Sequence, residues 1–344
     1  MNHVQWKFKY KSIYTIVIKE YLKLSRSFNA GLTAIAPVLG AIANGESNLY
    51  CLILFFLVGF FGHCYGFALN DIVDYKIDRL SSELKDRPLV SGKISLRNAW
   101  IFTIAMLFIS LIFAIYIAFL YSNFIPLIVL FFSAISITIY DLISKKYPAM
   151  DIFVAGGIFF LIIYGSLTVN LHLSNLAKIV AILGTLQVLF MQFIAGGLKD
   201  AEHDYIGKAK TLAIKLGVRV QNKKLFIPIS FKFLAYCLQA IYLFFLYLPF
   251  YLIDDFKGHY LQIFVLALLS ILMLYVSYRL LSMKKFVRNE ARKFIGLHYY
   301  INFSLVPIML TVINPFIGLI ALIPPFAFIV SNLTLHGSLL PKTM

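Results

Sequence analysis

Long uncharged apolar runs alternate with short polar connections along the whole chain. A helix needs about 20 residues to cross a bilayer. On that measure the runs predict helices at roughly 28–44, 49–70, 98–121, 123–141, 151–171, 177–198, 227–252, 259–281 and 297–331. The last run holds Pro307, Pro315, Pro324 and Pro325, so it reads either as one long broken helix or as a hairpin turning at Asn314-Pro315. The expected fold is therefore all-α, a polytopic membrane bundle of nine or ten transmembrane helices. Residues 1–27 form a basic, aromatic interfacial segment with no signal-peptide pattern. One transmembrane domain covers 28–332, with caps at 79–97 and 205–224, and a tail covers 333–344.

Composition agrees with this pattern. Apolar residues make up 61% of the chain and charged ones 13%, against roughly a quarter charged in soluble domains. The formal charge is +16, and its location decides what it means. Connections at 45–47, 122–123, 170–175 and 254–258 carry almost no positive charge. The N-terminal segment carries six Lys and Arg, 76–97 six, 145–146 two, 199–232 eight and 279–293 six, which is 28 of the 31. Such asymmetry is the positive-inside pattern and places those loops in the cytoplasm of a cell membrane. The excess is thereby accounted for without a nucleic-acid partner. Cys51, Cys64 and Cys237 lie within apolar runs without a C-x-x-C pair and read as small packing residues.

Two acidic stretches break the apolar pattern. Asn70-Asp71-Ile72-Val73-Asp74-Tyr75-Lys76-Ile77-Asp78 follows the uncharged run 49–69, and on a helix Asn70, Asp74 and Asp78 share one face. Asp200-Ala201-Glu202-His203-Asp204 follows the run 179–198, with Asp200 and Asp204 again four apart. Stacked carboxylates repel one another and are costly at membrane depth unless cations lie between them. Oxygen-only sites with few ligands per ion, leaving room for a phosphorylated substrate, suit Mg²⁺ better than Zn²⁺. The charge asymmetry puts both columns on the cytoplasmic side. His203 reads as a solvated loop histidine, and His63 as packed and hydrogen-bonded.

These stretches resemble the UbiA superfamily of intramembrane prenyltransferases. Its N-D-x-x-D-x-x-x-D signature matches Asn70, Asp71, Asp74 and Asp78. Its D-x-x-x-D signature matches Asp200 and Asp204, followed by Gly207 and Thr211-Leu212. Between them Arg87-Pro88-Leu89-Val90-Ser91-Gly92 resembles its R-P-x-x-S-G segment, and Tyr140 with Lys145 its Y-x-x-x-x-K segment. The chain departs from the family in having Ser27 after Arg26, His203 within the second signature and Asp151 after the lysine segment.

The resemblance implies two four-helix units around a central cavity and Mg²⁺-dependent transfer of a polyprenyl group from its diphosphate to an acceptor. It implies that Asn70, Asp74 and Asp78 hold one Mg²⁺ and Asp200 and Asp204 another. Arg79, Arg87, Lys145 and Lys210 are the diphosphate donors it suggests, with Lys145 favoured, Tyr140 near the reacting carbon and Asp71 orienting a helix partner or the acceptor. Arg26 and Asn29 would face the cavity on the acceptor side. The implied partners are geranylgeranyl diphosphate or a similar donor, a quinone precursor or glycerol-phosphate ether lipid as acceptor, and membrane lipid. No obligate protein partner is evident.

A transporter is the rival reading, because membrane carboxylates also mark ion pathways. Transport acids sit near the midplane in broken helices, whereas these sit at helix ends beside basic loops. A CDP-alcohol phosphotransferase would need a D-G-x-x-A-R segment that neither acidic stretch contains. Nine or more apolar spans exclude a soluble aspartate-rich prenyl synthase.

Overall fold

The computed structural model describes residues 17–79, 84–144, 147–207 and 209–337. Ten principal helices make up these residues: α1 (Ala30–Ala43), α2 (Leu49–Asp78), α3 (Leu96–Leu120), α4 (Pro126–Ile143) and α5 (Asp151–Val169), then α6 (Asn175–Lys199), α7 (Ile229–Leu252), α8 (Tyr260–Leu281), α9 (Arg288–Met309) and α10 (Ile323–His336). Among the described residues, nine helical segments are long and apolar enough to span a membrane, and α1 is a shorter apolar helix. Large side chains such as Ile101, Ile104, Phe108, Ile112 and Phe119 of α3 stay exposed. In water that face would be untenable, but it suits contact with lipid.

A short apolar helix lies buried among the longer ones. α1 has 14 residues, about 21 Å of helix against a hydrocarbon core of about 30 Å, and nearly all of it is buried. It packs against α2, α5, α6 and α10. Small residues permit that approach, since a Cβ added at Gly165 would come within 2.0 Å of the Pro37 carbonyl oxygen. One added at Gly40 would come within 2.1 Å of the Ile162 carbonyl oxygen. A Cβ added at Gly59 of α2 would come within 2.8 Å of the Thr33 carbonyl oxygen and of Ala34 Cα. Without a hydrophobic driving force between helices in lipid, backbone contact of this kind holds the bundle together.

Three features depart from the hydropathy pattern. α2 runs unbroken to Asp78 over 30 residues, about 45 Å, so the whole first acidic column is helical and projects beyond the apolar stretch. α9 begins at Arg288, well before the apolar run at 297, because its charged first turns are helical too. The final run is a hairpin, with α9 ending in a 3₁₀ turn at Leu310–Val312 and Asn314 capping the Pro315–Leu322 3₁₀ segment ahead of α10.

Both polar segments named as caps contribute buried apolar residues, with 208 of the second outside the described residues. The first buries Leu89 and Ile94 against Leu24, Ala68, Ile72 and Ala99, although 80–83 lie outside the described residues. The second buries Ala213 and Val218, as the apolar face of 205–224 leads one to expect, and adds a β-hairpin, β1 (Arg219–Gln221) on β2 (Lys224–Phe226). This hairpin is a small departure from the all-α expectation. Alternate residues Val220 and Leu225 point inward, where they meet Phe231, Leu280 and Phe286.

The α1–α5 contact leads to a prediction. Gly165→Ala should destabilise the protein by about 2 kcal/mol or more through overpacking, while Gly156→Ala, inside the same helix but meeting nothing within 4 Å, should stabilise it by up to about 1 kcal/mol. Thermal unfolding of the two variants in the same detergent checks this.

Candidate active site

The first acidic column is almost closed to solvent. Asp71, Asp74 and Asp78 are 3%, 7% and 5% exposed. Asp71 lies one residue past Asn70 and seven before Asp78, and its Oδ1 accepts from Arg26 Nη2 at 2.7 Å and from Arg87 Nη1 at 3.3 Å. Arg87 Nη1 also donates to Asp78 Oδ2. One guanidinium therefore bridges two carboxylates seven residues apart on α2, about two turns. Arg26 comes from the turn before α1 and Arg87 from the cap after α2, so two distant segments converge on one helix end.

Arg26 reaches its partners from a left-handed backbone conformation, φ 45° and ψ 48°. For a non-glycine residue that costs roughly 1–2 kcal/mol, and such strain persists only where neighbours impose it. Three neighbours do so. The guanidinium lies 5.1 Å from the Phe67 ring centroid, its Nη2 approaches Asn70 Oδ1 at 3.4 Å, and its carbonyl accepts from His63 Nε2 at 3.3 Å. That last bond puts the His63 proton on Nε2, so Nδ1 accepts from the Thr33 hydroxyl at 2.9 Å. His63 is thus packed and fully engaged.

Behind the column stands Asp141, at the end of α4 and 4% exposed. Its Oδ1 accepts from Asn70 Nδ2 at 3.1 Å. Tyr140, half-buried, sends its hydroxyl toward Asp151 at the start of α5. The Asp151 that stands out in the sequence therefore faces the tyrosine of the matched Y-x-x-x-x-K segment.

The second column is more open. α6 passes through a π-helical stretch at Phe190–Gly196, which changes the helix phase just before the acids. It then breaks at Asp200, whose φ of −102° and ψ of 7° separate α6 from a short helix, Ala201–Ile206. The Asp204 amide still donates to the Asp200 carbonyl at 2.9 Å, so the two acids remain one turn apart despite the break. Asp200 is held by Lys199 and by Arg288 of α9, each at 3.3 Å. Burial, and then the negative charge of Asp200, raise the Asp204 carboxyl above the usual range for an aspartate. His203 is exposed and loosely approaches Asp204 at 3.9 Å.

The structure thus gathers Arg26, Asn70, Asp71, Asp74, Asp78 and Arg87 into one cluster and Asp200 with Asp204 into another. Asn29 stands at the N-cap of α1, with its Oδ1 buried and accepting no hydrogen bond among the described residues. Arg79 is exposed over the Tyr75 ring, 5.5 Å from its centroid, and Lys210 is exposed. Lys145 lies outside the described residues. Sequence reasoning missed Asp141 and Arg288. Asp141 follows Tyr140 directly inside a matched segment, which was a usable signal, whereas Arg288 looked like one more basic loop residue.

Residues 30–305 match the family model described as the UbiA prenyltransferase family. The digeranylgeranylglyceryl phosphate synthase of Methanococcus vannielii is 29% identical over 230 residues, 63% of this chain and 76% of that protein. Among solved structures, a UbiA homologue from Archaeoglobus fulgidus bound to GPP and Mg²⁺ superimposes with a TM-score of 0.59 at 21% identity, covering 83% of this chain and 99% of its own. A structure described as bearing on digeranylgeranylglyceryl phosphate synthase gives a TM-score of 0.61 at 24% identity over 84% of this chain and 97% of that one.

Removing one partner of a buried ion pair strands the other charge. Arg87→Met should therefore lower stability by about 3 kcal/mol, and Arg79→Met, at an exposed site, should change it by less than about 0.5 kcal/mol. Chemical or thermal unfolding of both purified variants without added divalent cation tests this difference.

Proposed function

This chain belongs to the UbiA prenyltransferase family, and on that premise we propose that it transfers a polyprenyl group from a prenyl diphosphate to a glycerol-phosphate ether lipid. It is an integral membrane prenyltransferase, which leaves the transporter reading without support. The acceptor assignment draws on the relatives, which are named for digeranylgeranylglyceryl phosphate synthesis. A prenylated glycerol phosphate shares the donor's chemistry, an apolar tail and an anionic head. Both could lie with their tails among the apolar helices and their heads at the charged end.

The observation that carries the proposal is the first acidic column, three carboxylates within nine residues, each at most 7% exposed. The donor set fits Mg²⁺. It is oxygen-only, and it is offered at a helix end as Asn70, Asp74 and Asp78 in one cluster and Asp200 and Asp204 in the other. Among the described residues no ready-made trio of His, Cys, Asp or Glu encloses a single point. Mg²⁺ needs no such cage, because it keeps several waters and binds through one or two carboxylates plus substrate phosphates. When bound, it would neutralise the departing diphosphate and so ease cleavage of the allylic C–O bond.

The chain's own residues supply the remaining requirements. Arg26 and Arg87 already neutralise Asp71 and Asp78, and as planar donors they are suited to exchange a carboxylate for a phosphate oxygen. Lys145 and Lys210 are the further donors the sequence match suggests. Tyr140 presents an aromatic face that can stabilise positive charge developing at C1 by roughly 1–2 kcal/mol when desolvated. The cap that buries its Leu89 and Ile94 against α2 would limit water, which would otherwise capture the prenyl cation as prenol. The distribution of Lys and Arg supports an active site that faces the cytoplasm from the plasma membrane.

The test is turnover of labelled geranylgeranyl diphosphate with geranylgeranylglyceryl phosphate, read as lipid-soluble product and released diphosphate. Asp74→Ala and Asp200→Ala should each lower the rate by about 10²–10³-fold, as loss of one charge-stabilising group does elsewhere. Near-normal turnover in both would refute the mechanism. Normal turnover only with a quinone precursor would refute the acceptor.

A further inference from the structure

Asn70 is clamped between an obligate donor and an obligate acceptor. A guanidinium can only donate, so the Asn70 atom facing Arg26 Nη2 at 3.4 Å is the oxygen. The other side of the amide meets Asp141 Oδ1 at 3.1 Å, and a carboxylate oxygen there takes the N–H. Both contacts select the same orientation of an amide whose two ends are otherwise nearly equivalent.

Asp141 is an unusual residue to find in that position. It is 4% exposed near the end of an apolar spanning helix, within electrostatic reach of Asp74, Arg26 and Asp71. Its Oδ2 is buried and accepts no hydrogen bond among the described residues. A buried carboxylate beside other carboxylates weakens a bundle unless it serves a purpose there. A neutral acceptor, or an apolar residue with a different partner for Asn70, would pack more cheaply.

We propose that Asp141 is a positioning residue for the cation site: it holds the Asn70 amide nitrogen so that Asn70 Oδ1 is presented, ready-oriented, to a hard divalent cation. The inference rests on the Mg²⁺ reading of the first acidic column. Asn70 would exchange the long Arg26 contact for the cation without rotating its amide. Outer partners that orient a metal ligand in this way typically contribute 10–100-fold to metal affinity.

The experiment measures Mn²⁺ binding to the purified full-length protein in detergent by electron paramagnetic resonance, with Mg²⁺ as competitor and no substrate present. Asp141→Leu should weaken Mn²⁺ binding by about 10–100-fold. Asp141→Asn, whose amide oxygen still accepts from Asn70 Nδ2, should recover the larger part of that loss. In an Asn70→Ala background, Asp141→Leu should cost nothing further, because the partner through which it acts is gone. Asp141→Ala supplies the same comparison if Leu is not accommodated, and circular dichroism with gel filtration verifies the fold of each variant.

Unchanged binding in Asp141→Leu overturns the proposal. So does an Asp141→Asn no better than Asp141→Leu, since that assigns the effect to charge, and so does a full loss that persists without Asn70. Asp74→Ala separates this inference from the reading beneath it. If wild type binds no Mn²⁺, or Asp74→Ala binds it equally well, the cation site itself is refuted and this inference with it. If Asp74→Ala abolishes binding while Asp141→Leu leaves it intact, only the inference fails.

Discussion

Three carboxylates within two turns of one helix, each nearly sealed from water, impose the dominant constraint on this end of the molecule. Left unpaired, each would cost several kcal/mol in desolvation alone. α2 cannot supply the counter-charges from its own buried face, because its Lys76 and the following Arg79 are exposed. The charges come from outside the helix. Arg26 is delivered by the turn before α1 and Arg87 by the cap after α2, and their guanidinium groups close on Asp71 and Asp78. The N-terminal turn and the first cap are thus tied to one point, and the left-handed backbone at Arg26 is what that convergence requires of the chain.

Apolar packing reinforces the same junction. Leu24 from the N-terminal segment, Leu89 and Ile94 from the cap, and Ala68 and Ile72 from α2 form one buried cluster. Glu20 joins Lys23 and Lys93 across it, at 2.8 and 3.5 Å. An ion-paired core under an apolar lid is a low-dielectric setting, where electrostatic contacts act more strongly than in water. Chemistry that separates a diphosphate from an allylic cation benefits from such a setting, because fixed charges need no reorganisation as the bond breaks.

The second acidic column is built on different terms. Asp200 is 38% exposed at its side chain and stands where α6 breaks after a π-helical stretch. Its counter-charges, Lys199 and Arg288, come from its own helix end and from the start of α9. The two clusters differ in burial for that reason. One is locked beneath a packed cap, while the other sits on a helix break beside a β-hairpin.

The apolar helices and the family motifs were legible in the chain itself, because each depends on local composition or on a spacing of a few residues. So was the sharing of a face by Asn70, Asp74 and Asp78, since a helix repeats every 3.6 residues whatever surrounds it. The pairing of Arg26 with Asp71, of Asp141 with Asn70 and of Arg288 with Asp200 was decided only by the fold, across 45, 71 and 88 residues of sequence. The π stretch, the break at Asp200 and the helical start of α9 at Arg288 belong with these. The reason is that in a membrane both the lipid-facing and the inward-facing sides of a helix are apolar. Hydropathy therefore marks where a helix lies but not which way it is turned. Rotation came from close backbone contacts at Gly40, Gly59 and Gly165 and from the need to neutralise buried acids, and both become visible only when distant helices are side by side.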